Sequence, residues 1–261
     1  MNYTFTLTET EKLAMEYEDK DNLLDLIEYT YGLGIIDLVK IVGTAEETEI
    51  GAIAEDKSVV VSGKTKTPVA EFIGTFGMPN LGKLKTILSF DDYDASATID
   101  MTRKDVDGED IPTAVHFATK AGDFVNDYSL MSKAFIEEKV RNVTFKGAAW
   151  DIEFEPTIAG ILRLKKQAQA NSEELNFTTK TDNGDLKIFF GDPSTHSGNF
   201  VFQPGVTGTL SRTWQWPVKV FLSIMDLPGD KTVRISDQGA AQITVDSGYT
   251  VSEYLLPAQA K

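Results

Sequence analysis

The chain has 261 residues, 40 acidic side chains against 25 Lys and Arg, a formal charge of −15 and no cysteine. Its length suits one large domain or two of ordinary size, and 41% apolar with 10% aromatic residues is enough for a packed core. Without cysteine there are no disulfides, thiolate metal sites or thiol nucleophiles, and net acidity opposes generic nucleic-acid binding while leaving room for local cationic patches.

No run approaches the roughly 18 apolar residues that span a bilayer. The start, MNYTFTLTETEK, lacks the basic and apolar blocks of a signal peptide. The expectation is a soluble, cytoplasmic protein.

In chain order, the first helical period lies at 21–31 (DNLLDLIEYTY), followed by strands at 35–43 and 57–65. A second helix is expected at 79–90 (PNLGKLKTILSF), then strands at 95–101 and 113–119 and a third helix at 157–170. The long segment 174–191 reads as a hairpin turned at Asn183-Gly184, a pair suited to the positive φ of a type I′ turn. A strand at 198–203, a helix at 217–226 (PVKVFLSIMD) and strands at 232–237, 240–246 and 253–258 complete the chain. The second and fourth helices open with Pro, acceptable in a first turn.

A faint repeat runs through this order. Phe76-Gly77-Met78-Pro79 and Trp214-Gln215-Trp216-Pro217 each precede an apolar helix, then an Asp-containing turn, two strands and a closing segment, DYSLMS (127–132) or EYLLPA (253–258). Either the chain holds two copies of one α+β unit or amphipathic elements match by chance. As a repeat, its seam falls in KAFIEEKVRNVTFKGAA (133–149), dividing 1–135 from 150–261 across a linker at 136–149.

Positive charge is distributed unevenly. The windows 72–90, 156–172 and 193–225 contain no Asp or Glu, although 33 residues at the chain's mean acid density would hold about five. They coincide with three of the four helices. On a helical wheel, 157–170 turns Ile158, Ile161, Leu162, Leu164 and Ala168 inward and Arg163 and Lys166 outward, with Lys165 snorkelling from the apolar side. In 217–226, Val218, Phe221, Ile224 and Met225 face inward while Lys219 and Ser223 face out. In 79–90, Lys83 and Lys85 flank a stripe of Leu81, Leu84, Ile87 and Leu88. Such faces suit sequence-independent contact with phosphates; ordinary solvated helix faces are the other reading.

Signals for catalysis are missing. His116 reads as a strand residue and His196 as a loop residue, and there is no G-x-S-x-G, Walker A or H-E-x-x-H motif. DVDGED (105–110) begins like a calcium loop but lacks its downstream ligands, so an acidic hairpin is expected. The sequons at Asn2, Asn142 and Asn176 carry little meaning without secretion. Neither an enzyme nor a metal or other cofactor is expected.

Two stretches, FGMPNLGKLKTILSF (76–90) and IEFEPTIAGILRLKKQAQANSEELNFTTKTDNGDLKIFFGD (152–192), together with YLLPA near the C-terminus, resemble the DNA polymerase sliding clamps, especially the T-even bacteriophage type. The resemblance is carried chiefly by 58–101 and 150–258. The acidic segment EKLAMEYEDKDNLLDLIEY (11–29) departs from it, standing where a basic inner helix is expected. The resemblance implies an α+β fold of two tandem clamp domains, in a homotrimeric ring with antiparallel sheets outside and helices lining the hole. It implies a noncatalytic processivity factor that encircles double-stranded DNA, tethers the replicative polymerase and is served by a clamp loader, with no membrane association.

It also implies DNA-facing roles for Arg163 and Lys166 first, then Lys219, Lys83 and Lys85, with Lys165 and Arg212 weaker. A partner-peptide pocket would involve Tyr254, Leu255, Leu256 and Pro257 with Val140 or Val143; the same C-terminal residues could instead complete the last sheet. The competing function is an acidic, β-rich virion subunit of a tail tube or baseplate.

Overall fold

The computed structural model describes residues 20–94, 96–106, 109–140 and 147–259. Outside them lie residues 11–19 of the acidic N-terminal segment, the sequons at Asn2 and Asn142, residues 107–108 of DVDGED, the linker positions 141–146 and Val143. Two compact units are formed, the first from Met1–Gly32, Ile36–Ala52 and Lys64–Asn142 and the second from Leu33–Ile35, Ile53–Gly63 and Val143–Lys261.

The first unit carries helix α1, helical at 20–29, then strands β1 (Leu38–Gly43) and β2 (Thr48–Ile53). Strand β3 (Val60–Thr65) divides between the units. There follow β4 (Gly74–Pro79), α2 (Leu81–Leu88), β5 (Thr98–Val106), β6 (Glu109–Ala118), β7 (Val125–Ser129) and α3 (Lys133–Lys139). β4 pairs antiparallel with β1, and β1 with β2; β5, β6 and β7 form a separate antiparallel sheet. The alternating burial of β2 and β3 puts one side chain in two into the core. That core gathers Leu26, Ile41, Phe76, Leu84, Phe117 and Tyr128, all essentially inaccessible to solvent. Burial also pushes the Tyr128 phenol above the ordinary tyrosine range, with Asp37 adding to the effect. Its hydroxyl donates to the Pro79 carbonyl.

The second unit runs β8 (Ile152–Phe154), α4 (Ile158–Ala170), β9 (Asn176–Asp182), β10 (Asp185–Gly191), β11 (Ser197–Gln203), β12 (Trp214–Pro217), α5 (Val218–Asp226), β13 (Asp230–Ser236), β14 (Ala240–Asp246) and β15 (Thr250–Pro257). One sheet has the order β11-β10-β9-β12, and β15-β14-β13-β8 run side by side in another. Each short strand before a helix therefore crosses to the other half: β12 pairs with β9, and β8 with β13. An aromatic cluster fills the space beneath the helices. Phe177 meets Phe221 edge-on at 5.0 Å, Phe202 meets Phe154 at 5.9 Å, and the buried Trp216 indole N–H donates to Thr179 Oγ1 at 2.8 Å.

The repeat is finer than expected. In chain order, a helix followed by three strands occurs four times, led by α1, α2, α4 and α5. The first tetrapeptide closes β4 and the second is β12, and the second residue of each is equivalently held: Gly77 bridges to Met131 and Gln215 to Gln259. At Gly77 a Cβ would lie 2.7 Å from Ile136 Cδ1, so the glycine leaves the space that Ile136 of α3 fills.

Several expectations change. Pro79 and Pro217 do not occupy the first helical turns: Pro79 ends β4 and Pro217 is the N-cap of α5. Residues 133–139, expected in the charged seam, form α3, whose Ile136 is completely buried. Strands β2, β4, β7 and β12 are additional to the expected ones. The Asn183-Gly184 turn forms with both φ positive, 50° and 84°.

In the first unit Arg103 joins a hairpin to a turn. It lies at the β5 register shift opposite Pro112, a residue with no N–H for the ladder. Its guanidinium pairs with Asp110 Oδ2 at 2.6 Å and donates to the Glu71 and Ile73 carbonyls at 3.2 and 2.7 Å. Arg103→Ala is expected to cost about 2–3 kcal/mol in denaturant unfolding. Lys at this position should recover less than half, because one ammonium cannot reproduce the planar fork.

Candidate nucleic-acid interface

Helix α4 begins where the Thr157 Oγ1 accepts from the Gly160 N–H at 3.0 Å, a side-chain cap that satisfies one otherwise orphan donor. It ends where Asn171 Nδ2 donates to the Gln167 carbonyl at 2.7 Å. Between these ends the seat is close. A Cβ on Gly160 would lie 2.3 Å from the Phe202 carbonyl oxygen, and a Cβ on Gly198 of β11 would lie 2.2 Å from Gln167 Oε1. The inward stripe is therefore Gly160, Leu164, Gln167 and Asn171, one turn apart along the helix.

This rotates α4 away from the face suggested by its large apolar residues. Ile158 is 78% exposed and Leu162 50%, so neither packs inward as expected. Lys165 does not snorkel from a buried position; it lies exposed beside them and reaches Asp226 Oδ1 of α5 at 2.5 Å. Lys166 is exposed. Arg163 is exposed but leans over the sheet, its Nη1 donating to the Val201 carbonyl of β11 at 3.4 Å.

α5 buries Val220, Phe221, Ile224 and Met225. Val220 takes the inward place expected for Val218, which instead lines a groove of about 430 Å³ between α4 and α5. Ala168, Leu175 and Leu222 form its apolar part and Lys165, Lys219, Glu174 and Asp226 its charged part. Leu175 is 81% exposed at this groove. Lys219 projects outward as expected, while Ser223 is half-buried and donates to the Val220 carbonyl at 2.9 Å.

In the first unit α2 has the expected buried stripe of Leu81, Leu84, Ile87 and Leu88, with Lys83 and Lys85 exposed. Lys85 Nζ lies 5.8 Å from the Tyr31 ring centroid, and Gly82 leaves room for the Tyr31 hydroxyl, which a Cβ would approach to 2.8 Å. The described part of α1 exposes Leu24 and Glu28, so its surface is not basic. Arg212 stands apart from the helices in the loop after β11, its backbone N–H bound to Asp237 Oδ1 at 3.1 Å. Burial acts to raise the Asp237 pKa, but the Ser211 hydroxyl and amide, the Arg212 amide and the Arg212 charge outweigh it and hold the carboxyl below its ordinary value.

The C-terminal residues divide between two faces. Tyr254 and Leu256 are fully buried, in register with Ile243 and Ala241, so they complete the last sheet instead of lining a surface pocket. Leu255 is half-buried and Pro257 exposed on the opposite face. Val140 is buried at the end of α3. His116 Nδ1 pairs with Asp127 Oδ1 of β7 at 2.7 Å, and His196 is exposed in a loop. Among the described residues, no three His, Asp or Glu side chains form a group suited to a metal ion.

The arrangement offers phosphates cations on acid-poor helical faces. Sequence reasoning missed the seat of α4, although Gly160-x₃-Leu164-x₂-Gln167-x₃-Asn171 has helical spacing. No family model matches the chain, and no curated protein matches it. Among solved structures it is similar to the A. fulgidus PCNA structure with the C-terminal region of FEN-1 bound, at 11% identity and TM-score 0.63, covering 95% of this chain and 96% of that one. It is also similar to Proliferating Cellular Nuclear Antigen from Entamoeba histolytica, at 14% identity and TM-score 0.63, covering 95% and 96%. PCNA from Thermococcus kodakaraensis aligns at 12% identity and TM-score 0.59 over 94% and 97%. The likeness is one of fold: this chain has the α+β fold of PCNA-type sliding clamps.

The contact between Gly160 and Phe202 can be tested by the sign of a stability change. Gly→Ala within a freely exposed helix stabilises by about 0.5–1 kcal/mol. Here Gly160→Ala should destabilise by about 1–3 kcal/mol, since a backbone carbonyl must move, and thermal melts should show a lower midpoint.

Proposed function

We propose that the protein is a noncatalytic DNA polymerase processivity factor, a sliding clamp of two tandem domains joined through α3 and the segment after it. The observation that carries this reading is the clamp fold over 95% of the chain with acid-poor cationic helices in a protein of net charge −15. The fold likeness favours it over the virion-subunit alternative. The T-even bacteriophage affiliation rests on the resemblance of 76–90 and 152–192, and with it comes a place in the host cytoplasm. Among the described residues no helix is long and apolar enough to cross a membrane.

In this reading three copies close head to tail around duplex DNA. β7 and β11 each end a sheet, and ring closure by pairing such strands would cover their open edges. Lys166, Arg163 and Lys219, with Lys83 and Lys85, contact the phosphate backbone without reading bases. Lys165 is a conditional contact and Arg212 a peripheral one. The acidic remainder repels DNA and discourages binding elsewhere. Topology retains the ring on DNA, so the individual contacts can remain weak enough for sliding. The polymerase and clamp loader are the protein partners, with Leu255 and Pro257 offering part of a peptide-docking face; no cofactor is needed.

Light scattering of the purified protein should give a trimer mass; a monomer at all accessible concentrations would contradict the stable ring. Arg163→Ala with Lys166→Ala should shorten clamp-dependent primer extension severalfold and leave the oligomer mass unchanged. Unaltered processivity at moderate salt would remove these two residues from the DNA contact surface.

A further inference from the structure

Asp226 is the single carboxylate in residues 193–226, and α4 has none; of the two carboxylates lining the groove, Glu174 and Asp226, it is Asp226 that pairs with Lys165. It occupies the last position of α5, where a negative charge meets the negative end of the helix dipole and is unfavourable for the helix itself. Lys165 pairs with it, and Lys231 lies within its electrostatic reach. Lys165 Nζ reaches its Oδ1 at 2.5 Å across the groove. Lys231 donates from its ammonium to the Leu227 carbonyl and to that of Gly229 at 3.0 Å, and is close enough to interact electrostatically with both Asp226 and Lys165.

The two partners differ in how firmly they are held. Lys231 is partly buried and anchored by the two carbonyls, whereas the side chains of Lys165 and Asp226 are 44% and 51% exposed. An exposed ion pair contributes only about 0–1 kcal/mol, so Lys165 can leave at little cost. Asp226, with about half of its side chain exposed, is then hydrated by water.

We propose that Asp226 acts as a built-in stand-in for phosphate, holding Lys165 in the α4–α5 groove when no polyanion is present and yielding it to a backbone phosphate of duplex DNA. This rests on the DNA-facing reading of α4. Exchange of one oxyanion for another adds little net affinity, because the carboxylate that Lys165 leaves attracts cations as the phosphate it meets gives up its own. Lys165 can therefore touch DNA without gripping it, a useful property in a contact that must repeatedly form and break during sliding.

The test uses the full chain and a short fluorescent blunt-ended duplex, with anisotropy titrations from about 50 to 200 mM salt, a range in which phosphate contacts are strongly screened. Asp226→Asn should bind about three- to tenfold more tightly at the low end, with a log–log salt slope steeper by about 0.9, the value for one added phosphate contact. Asp230→Asn, which changes net charge equally, should stay within about twofold of the parent. In a Lys165→Gln background the gain from Asp226→Asn should vanish.

A gain no larger than that of Asp230→Asn, or one that persists without Lys165, would overturn the exchange. Arg163→Ala with Lys166→Ala separates the two levels of inference. If that pair loses duplex binding while Asp226→Asn changes nothing, α4 faces DNA and the exchange is wrong. If neither variant alters binding, both readings fall.

Discussion

The close seat of α4 on β11 is the constraint from which the proposed surface follows. Two glycines, one in the helix and one in the strand, remove the Cβ atoms that would collide with the Phe202 carbonyl and the Gln167 side chain. Backbone and short polar groups can then occupy space that large apolar side chains would fill in a more distant packing. With that stripe committed inward, Ile158, Leu162, Lys165 and Lys166 have no route to the core and must face solvent. Nearby, α5 buries Phe221 in the aromatic cluster with Phe177 and Phe202, which leaves Lys219 and Leu222 beside the same groove.

Electrostatics divides this molecule between long-range repulsion and local attraction. A net charge of −15 keeps polyanions away from most of the surface, an effect attenuated over about 10 Å at ordinary ionic strength. Within that distance the acid-poor helices dominate. Asp226 and Glu174 are set beside them at the groove, and the pairing of Asp226 with Lys165 reduces the local positive field where the two helices meet. Under the proposed function, several weak, screened contacts serve such a surface better than a few strong ones, because DNA has to move across it.

Much of the secondary structure was legible because its signals are local. The 176–191 hairpin announces itself through Asn183-Gly184, and α2 through the spacing of Leu81, Leu84, Ile87 and Leu88. The elements that escaped are short and held by distant partners. β12 is four residues stabilised by pairing with β9, and α3 is seven residues anchored by Ile136 against Gly77. Their stability comes from tertiary packing and leaves little trace in propensity.

The candidate site divides in the same way. Charge placement is a property of the chain alone: acid-free windows and the cations within them are present before folding, and they identify Arg163, Lys166, Lys219, Lys83 and Lys85 without coordinates. Orientation is not. A helical wheel weighs side-chain hydrophobicity, whereas the rotation of α4 was decided by how closely two backbones could approach at Gly160 and Gly198. Burial of Tyr254 and Leu256 was likewise settled by their register with Ile243 and Ala241 on β14. The sequence by itself determined which segments carry positive charge and which elements form from local periodicity. Tertiary structure alone decided which faces those elements present, because the facing direction depends on contacts between residues far apart in the chain.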